Sequence, residues 1–260
     1  MLNMCRIISI VNQKGGVGKT TTTINLAVAL VNIGKRVLCV DLDPQANLTM
    51  GFGYSNADEI ETRKIEDLLV APQTQETTDY ILQAYGVDFI PASISLAGMD
   101  NHLMNRMCRE SILENVLKKH KLRYDFILID CLPSLGILTI NALTACDEVI
   151  IPVQSQYYAA KGLTGLIDTI SMVKANLNHE LAIAGIIFTM VDKRSKHQKE
   201  VVEVVTAYSG EKIKVFQNSI PQSVKVSDNQ SKGVPIIGEK NNAVAKAYEA
   251  VARELLEVKS

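Results

Sequence analysis

Two lysines five positions apart, Lys14 and Lys19, share one short glycine-rich stretch, "KGGVGKTT" (14–21). An apolar run precedes it and a run with helical spacing follows, which places it as a turn between a strand and a helix. Gly15, Gly16 and Gly18 let the backbone turn tightly and aim successive N–H groups at an anion. The helix that follows adds its positive N-terminal end. In that setting Lys19 suits the β- and γ-phosphates of a nucleotide and the Thr20 hydroxyl suits Mg²⁺. Lys14, Gly15, Gly16, Val17, Gly18, Lys19, Thr20 and Thr21 are therefore the candidate nucleotide-binding set. Lys14 follows Gln13, which stands where the ordinary phosphate loop has its first glycine. Two cations in one loop repel unless each faces separate negative charge.

Two acid-bearing strands complement the loop. "VLCVDLDPQAN" (37–47) ends in Asp41 and Asp43, and residues two apart in a strand share a face. Both carboxylates are expected at the strand's C-terminal end, where parallel sheets carry their chemistry. For Asp43 a helix-capping or turn role before Pro44 is as open as a direct one. "FILIDCLPS" (126–134) sets Asp130 after four apolar residues, as in a Walker B strand, where it would hold Mg²⁺ through a water.

The elements that must position these residues follow from periodicity. Short apolar runs at 6–11, 36–42, 87–92, 124–130, 147–153 and 181–191 have the length and continuous apolar character of buried strands. Helical spacing occupies 18–33, 95–121, 135–146, 157–176 and 195–208. The alternation predicts an α/β fold, a mainly parallel twisted sheet with helices on both faces. No repeat or Pro/Gly-rich linker interrupts it, so residues 1–260 are expected to form a single domain. The polar stretch 51–86 reads as a surface excursion with one or two short helices. Near the end, Val244, Ala247, Tyr248, Val251, Ala252, Leu255 and Leu256 form one apolar helical stripe, expected to dock on the domain rather than on a membrane.

Composition narrows the class. An apolar fraction of 47% in 260 residues supports a substantial core. No apolar run reaches the length of a membrane span and the N-terminus enters a strand pattern directly, so a cytoplasmic location is expected. The net charge of −1 gives no global sign of nucleic-acid binding, so any such activity needs a local patch. Cys5, Cys39, Cys108, Cys131 and Cys146 lack paired spacing. Three of the five sit in or beside apolar strand-like runs and are read as buried free thiols rather than disulfides or metal ligands.

"NQKGGVGKTT" resembles the deviant Walker A loop of the ParA/MinD/nitrogenase-iron-protein group of P-loop NTPases. The likeness extends through "DLDPQ", "IIPVQSQYYAAKGL" (150–163), "FTMVDKRSK" (188–196) and "NSIPQSVKVSDNQSKGVPI" (218–236), from residue 6 to about 256, and points to the short ParA/Soj members. It implies that Lys14 reaches a partner subunit's nucleotide in an ATP-bound homodimer. It also implies that Asp41 positions or activates the attacking water, and that Pro221 and Ser223 lie against the adenine with Asp192 nearby. The expected activity is ATP hydrolysis to ADP and phosphate for chromosome or plasmid segregation. Stimulation by a ParB-like partner, nonspecific binding of double-stranded DNA by the dimer, nucleoid association and no stable membrane association go with it.

The candidate DNA contacts are Arg194, Lys196, Lys225 and Lys232. The chain departs from the family pattern at Leu132, where a proline is usual, at Gln222, where an arginine is frequent, and over Asp228–Ser231. A MinD-like regulator of cell division cycling on the membrane is the alternative. A nitrogenase-iron-protein-like metal-cluster carrier is disfavoured by the cysteine contexts.

Overall fold

The computed structural model describes residues 5–55, 60–71, 79–155, 159–192, 194, 195, 198, 200, 201, 203, 205, 206, 213–239 and 241–257. Among the described residues seven strands form one sheet: β1 (Arg6–Ile10), β2 (Val37–Leu42), β3 (Leu82–Ala84), β4 (Val87–Ile90), β5 (Phe126–Cys131), β6 (Glu148–Gln154) and β7 (Ala182–Thr189). Their order is β3-β4-β2-β5-β1-β6-β7, and every pairing is parallel except β3 with β4. The antiparallel pair turns at Tyr85 and Gly86, both at positive φ (53° and 76°), the mirror-image turn that matches strand twist.

Alternate residues of each central strand serve opposite faces. Ile7, Leu38, Val40, Ile127, Ile129 and Val149 belong to one apolar cluster. Ile8, Ile10, Val37, Cys39, Leu128 and Ile150 belong to the other. Helices α5 (Ile112–Lys118), α6 (Ile137–Ala145) and α7 (Ala159–Asn176) cover the first face. Helix α1 (Lys19–Asn32) and α9 (Ala243–Glu257) cover the second and pack on each other. Short helices α2 (Asn47–Gly51), α3 (Ile65–Val70), α4 (Met99–Met104) and α8 (Val224–Gln230) sit in the connections. Both faces are thus buried, which is why the strands read as continuous apolar runs.

The C-terminal stripe docks as expected, with Val244, Tyr248, Val251, Ala252 and Leu255 buried, although Leu256 is 38% exposed. Two expectations are corrected. Residues 95–121 do not form one helix. A 3₁₀ turn (Ile94–Gly98), α4, a second 3₁₀ turn (Arg109–Ser111) and α5 share the stretch. Cys108, at φ 52°, breaks the helical path. Tertiary anchors hold the break: the Arg106 guanidinium donates to Leu69 O and Val70 O, and Asn141 Nδ2 donates to Arg109 O at 2.7 Å. The 51–86 stretch is not wholly peripheral either. Phe52, Ile65, Leu68, Leu69 and Tyr80 are core residues, and β3 extends the sheet there. Part of the predicted 195–208 helix lies outside the described residues.

Candidate functional site

The site forms where β1, β2 and β5 end side by side. Sequence order reverses at this point: β2 lies to one side of β5 and β1, and β6 to the other. Open parallel sheets bind ligands at such a switch point. The loop after β1 carries Gly16 at φ 72° and Gly18 at φ 86°, conformations an L side chain rarely adopts. Gly18 is the residue just before α1, so the helix's unpaired N–H groups open onto the loop.

The loop is braced from two neighbouring strands. Asn12 Nδ2 donates to Pro152 O at 2.7 Å, and Asn12 Oδ1 accepts the Lys14 N–H at 2.9 Å. Thr189, the last residue of β7, donates its hydroxyl to Val17 O at 2.8 Å. These supports fix the path of the chain without using the lysine side chains.

Lys14 and Lys19 take opposite positions. Lys14 is exposed. Lys19 is buried at the base of α1, with its Nζ 3.3 Å from Lys14 O. Burial lowers the Lys19 pKa, and the nearby Asp130 opposes that shift.

Asp41 and Asp130 are register partners on β2 and β5, both 0% exposed. Asp41 Oδ2 accepts two bonds from Thr49, from N–H at 2.9 Å and from Oγ1 at 2.7 Å. The Asp43 N–H lies 3.3 Å from Asp41 Oδ1. Asp130 Oδ1 accepts from Thr23 Oγ1 at 3.3 Å, whereas Asp130 Oδ2 is buried and has no hydrogen-bond partner among the described residues. Desolvation raises the pKa of both carboxyls, and for Asp130 the second cause is the charge on Asp41. Adjacent strands lie about 4.8 Å apart. At that distance, and an effective dielectric near 20, two such charges repel by about 3 kcal/mol. An unpartnered carboxylate oxygen beside a second acid and a buried lysine suits a divalent cation and a polyphosphate. Asp130, Thr20 and Lys19 therefore fit the Mg²⁺ and nucleotide expected of the loop.

Asp43 takes a turn role. Its Oδ1 accepts the Gln45 N–H at 2.9 Å, and Ala46 follows at φ 50° before α2 begins. Asn25 ties the site to the C-terminal third of the chain. Its Nδ2 donates to Thr21 O at 2.8 Å, and its Oδ1 accepts Ile236 N–H at 2.9 Å and Ile237 N–H at 3.3 Å. Asn12, Thr23, Asn25, Thr49 and Thr189 carry no motif in the sequence, because each acts through a partner far along the chain.

The candidate base-binding segments also converge on the loop. Val191 and Pro221 form a parallel bridge just beyond β7, with Gln222 N–H donating to Val191 O at 3.2 Å. Asp192 pairs with Arg194 at 3.2 Å, and Ser223 immediately precedes α8. Of the candidate DNA contacts, Lys225 is paired to Glu239 at 3.1 Å. Lys232 lines a cleft of about 410 Å³ between α2 and α8 with Met50, Gly53, Ser227 and Gln230. Lys196 lies outside the described residues. Cys39, Cys131 and Cys146 are buried free thiols, and burial pushes all three pKa values up.

Comparison with known proteins adds the family. A family model described as an AAA domain matches residues 5–183. The sporulation initiation inhibitor protein Soj of Bacillus subtilis is 45% identical over 255 residues, covering 97% of this chain and 98% of that protein. The chain belongs to the ParA/Soj family of partitioning ATPases. The chromosome-partitioning ATPase Soj of Treponema pallidum is 44% identical over 254 residues, with 97% and 98% covered. Among solved structures, the Mycobacterium smegmatis cobyrinic acid a,c-diamide synthase with bound ATP analog and magnesium superposes with a TM-score of 0.83. It is 35% identical and covers 97% of this chain and 94% of that one.

Proposed function

We propose that this chain is an ATP-driven segregation switch. It pairs with a second copy when loaded with ATP, binds double-stranded DNA without sequence preference as that dimer, and is returned to the monomer when a ParB-like partner stimulates hydrolysis. The chain is an ATPase, with ATP as substrate and Mg²⁺ as cofactor. The observation that carries the reading is the unequal burial of the two lysines, Lys19 buried with its Nζ 3.3 Å from Lys14 O and Lys14 exposed.

In this reading Lys19 and the N–H groups from Gly15 to Thr21 hold the phosphates. Thr20 and Asp130 hold the magnesium ion, which when bound neutralises phosphate charge. Asp41 accepts a hydrogen bond from the attacking water and orients it. Lys14 serves the nucleotide of the opposite subunit, so assembly completes each site. Pro221, Ser223 and Asp192 are assigned to the base, and Arg194, Lys196, Lys225 and Lys232 to DNA phosphates. Exposed ion pairs such as Lys225–Glu239 are worth little, so that pairing leaves the lysine available to a phosphate. The membrane-cycling alternative is not favoured, because the apolar stripe of α9 is spent on α1 and the sheet. No helix among the described residues is long and apolar enough to cross a membrane.

The test is molecular mass in solution and DNA affinity for the Asp41→Ala chain, with MgATP and with MgADP, over a salt series. A dimer that binds DNA only with ATP, more weakly as salt rises, is the expected result. A monomer in MgATP removes the switch. DNA binding that ignores the nucleotide removes the segregation reading and leaves the ATPase.

A further inference from the structure

Val17 sits between two glycines of the phosphate loop, Gly16 at φ 72° and Gly18 at φ 86°. Its side chain is buried, and its carbonyl accepts the hydroxyl of Thr189 at 2.8 Å. Thr189 is 2% exposed and closes β7, 172 positions further along the chain. The strand end also meets the glycine itself. A Cβ on Gly18 would lie 3.7 Å from Thr189 Cγ2 and 3.8 Å from Met190 Cε.

A planar trans peptide points its C=O and its N–H in opposite directions, so the Val17 carbonyl and the Gly18 N–H turn together. Glycine accepts φ of either sign at little cost, so Gly18 by itself does not hold this peptide one way up. The hold must come from outside the loop. With Val17 O bonded to Thr189, the Gly18 N–H faces away from the end of β7 and donates to no group among the described residues. A flipped peptide would turn a carbonyl oxygen to that side, where it repels an anion. The Thr189 oxygen could then accept the N–H, but its own buried proton would lose its acceptor.

We propose that Thr189 is a positioning residue that sets the Val17–Gly18 peptide so that its N–H is presented to the phosphates of the nucleotide. Without the hydroxyl the peptide turns over, and affinity falls in proportion to the fraction of molecules left with the N–H on the phosphate side. The role concerns the phosphates and not the base, although the base-assigned Asp192 lies three residues on. The proposal rests on the phosphate-loop assignment above.

The test compares Thr189→Val, Thr189→Ser and Lys19→Ala in the full chain. Calorimetric titration gives the affinity for MgADP and for magnesium pyrophosphate, and NMR with ¹⁵N-labelled glycine follows the Gly18 amide. Thr189→Val is expected to weaken both ligands by a similar factor of about ten, since one buried hydrogen bond of ordinary strength shifts a two-state balance by about that much. Thr189→Ser keeps the donor and should stay within about threefold of the parent. The Gly18 resonance should move on adding MgADP to the parent and serine chains, and should broaden or move less in the valine chain.

A folded Thr189→Val chain with parent affinity for pyrophosphate overturns the proposal. So does a loss confined to MgADP, which would put Thr189 on the base side, or a serine variant as weak as valine. Should Thr189→Val not fold, the spectra decide. A Gly18 amide indifferent to MgADP in the parent and serine chains sinks the idea, and one that moves in both supports it. Parent affinity for both ligands in Lys19→Ala removes instead the phosphate-loop assignment itself.

Discussion

Asp41 and Asp130 stand opposite each other on adjacent parallel strands, both wholly buried, and one Asp130 oxygen has no hydrogen-bond partner among the described residues. Such a pair opposes folding when no cation is bound. Asp130→Asn keeps the shape and removes one charge, so the ligand-free protein should melt a few degrees higher, about 2–4 °C for each kcal/mol gained. MgATP hydrolysis should fall by about a hundredfold or more. The sign with pH follows from the raised carboxyl pKa values. The folded state keeps the protons longer, so the pair's contribution to stability declines as pH rises above the ordinary carboxylate value of 3.8, and the parent loses stability relative to the variant as pH rises. Calorimetry from pH 4 to 8 checks it. A variant whose stability changes with pH in the same way as the parent's over this range contradicts the arrangement.

Lys14→Ala removes the exposed cation and leaves the Lys19 amine near the main-chain oxygen of residue 14. Monomer affinity for ATP should change by less than about threefold, while the ATP-dependent dimer disappears. Light scattering with MgATP measures the second outcome. A normal dimer would show that the extra lysine serves its own subunit.

His120 gives a pH effect away from the site. The ring is buried, its Nε2 meets Tyr80 OH at 3.1 Å, and desolvation with Lys119 and Arg123 nearby lowers its pKa from 6.5 to about 4. Between those values the unfolded chain takes up a proton that the folded chain refuses, so stability is lost as pH falls from 6.5 toward 4. The loss amounts to up to about 3 kcal/mol. Denaturant titrations of the parent and His120→Gln at pH 7 and pH 4.5 separate this residue from the carboxylates. Equal pH slopes would refute the claim.

Gly233 sits at φ 64°, where a Cβ would lie 2.5 Å from Gly53 Cα and 2.8 Å from Gly53 N. Backbone cannot yield as a side chain can. Gly233→Ala should cost about 1–3 kcal/mol, read as a lower unfolding midpoint. The neighbouring Gly53 to Gly233 contact also aligns α8 with α2, so altered DNA binding is expected alongside. An unchanged midpoint would mean that the two turns part easily.

Asn25→Ala leaves the Ile236 and Ile237 N–H groups without the acceptor they share. Two buried donors lose their partner, for a cost of about 2–4 kcal/mol. Thermal melting should show the drop, and Asn25→Asp, which keeps the acceptor, should lose less. Equal losses would point to packing instead.

The strand at 6–10, the glycine turn, Lys14, Lys19, Asp41 and Asp130 were legible in the sequence because each is local. Apolar runs of strand length, glycine punctuation and an acid at a strand's end need no distant partner to be recognised. The β3 strand, the broken helix around Cys108 and the core role of Phe52 and Tyr80 were not legible, since tertiary contacts overrode the local pattern. The same holds for Thr49, Asn12, Asn25 and Thr189. A threonine eight positions beyond an aspartate has no meaning in one dimension. It acquires one only when β2 and β4 lie side by side and a single hydroxyl must both receive the Ala92 amide and donate to Asp41. The order of residues determined which groups were available for phosphate chemistry. Packing decided which lysine was buried and which exposed, because burial forces every remaining polar group to find its partner inside the protein.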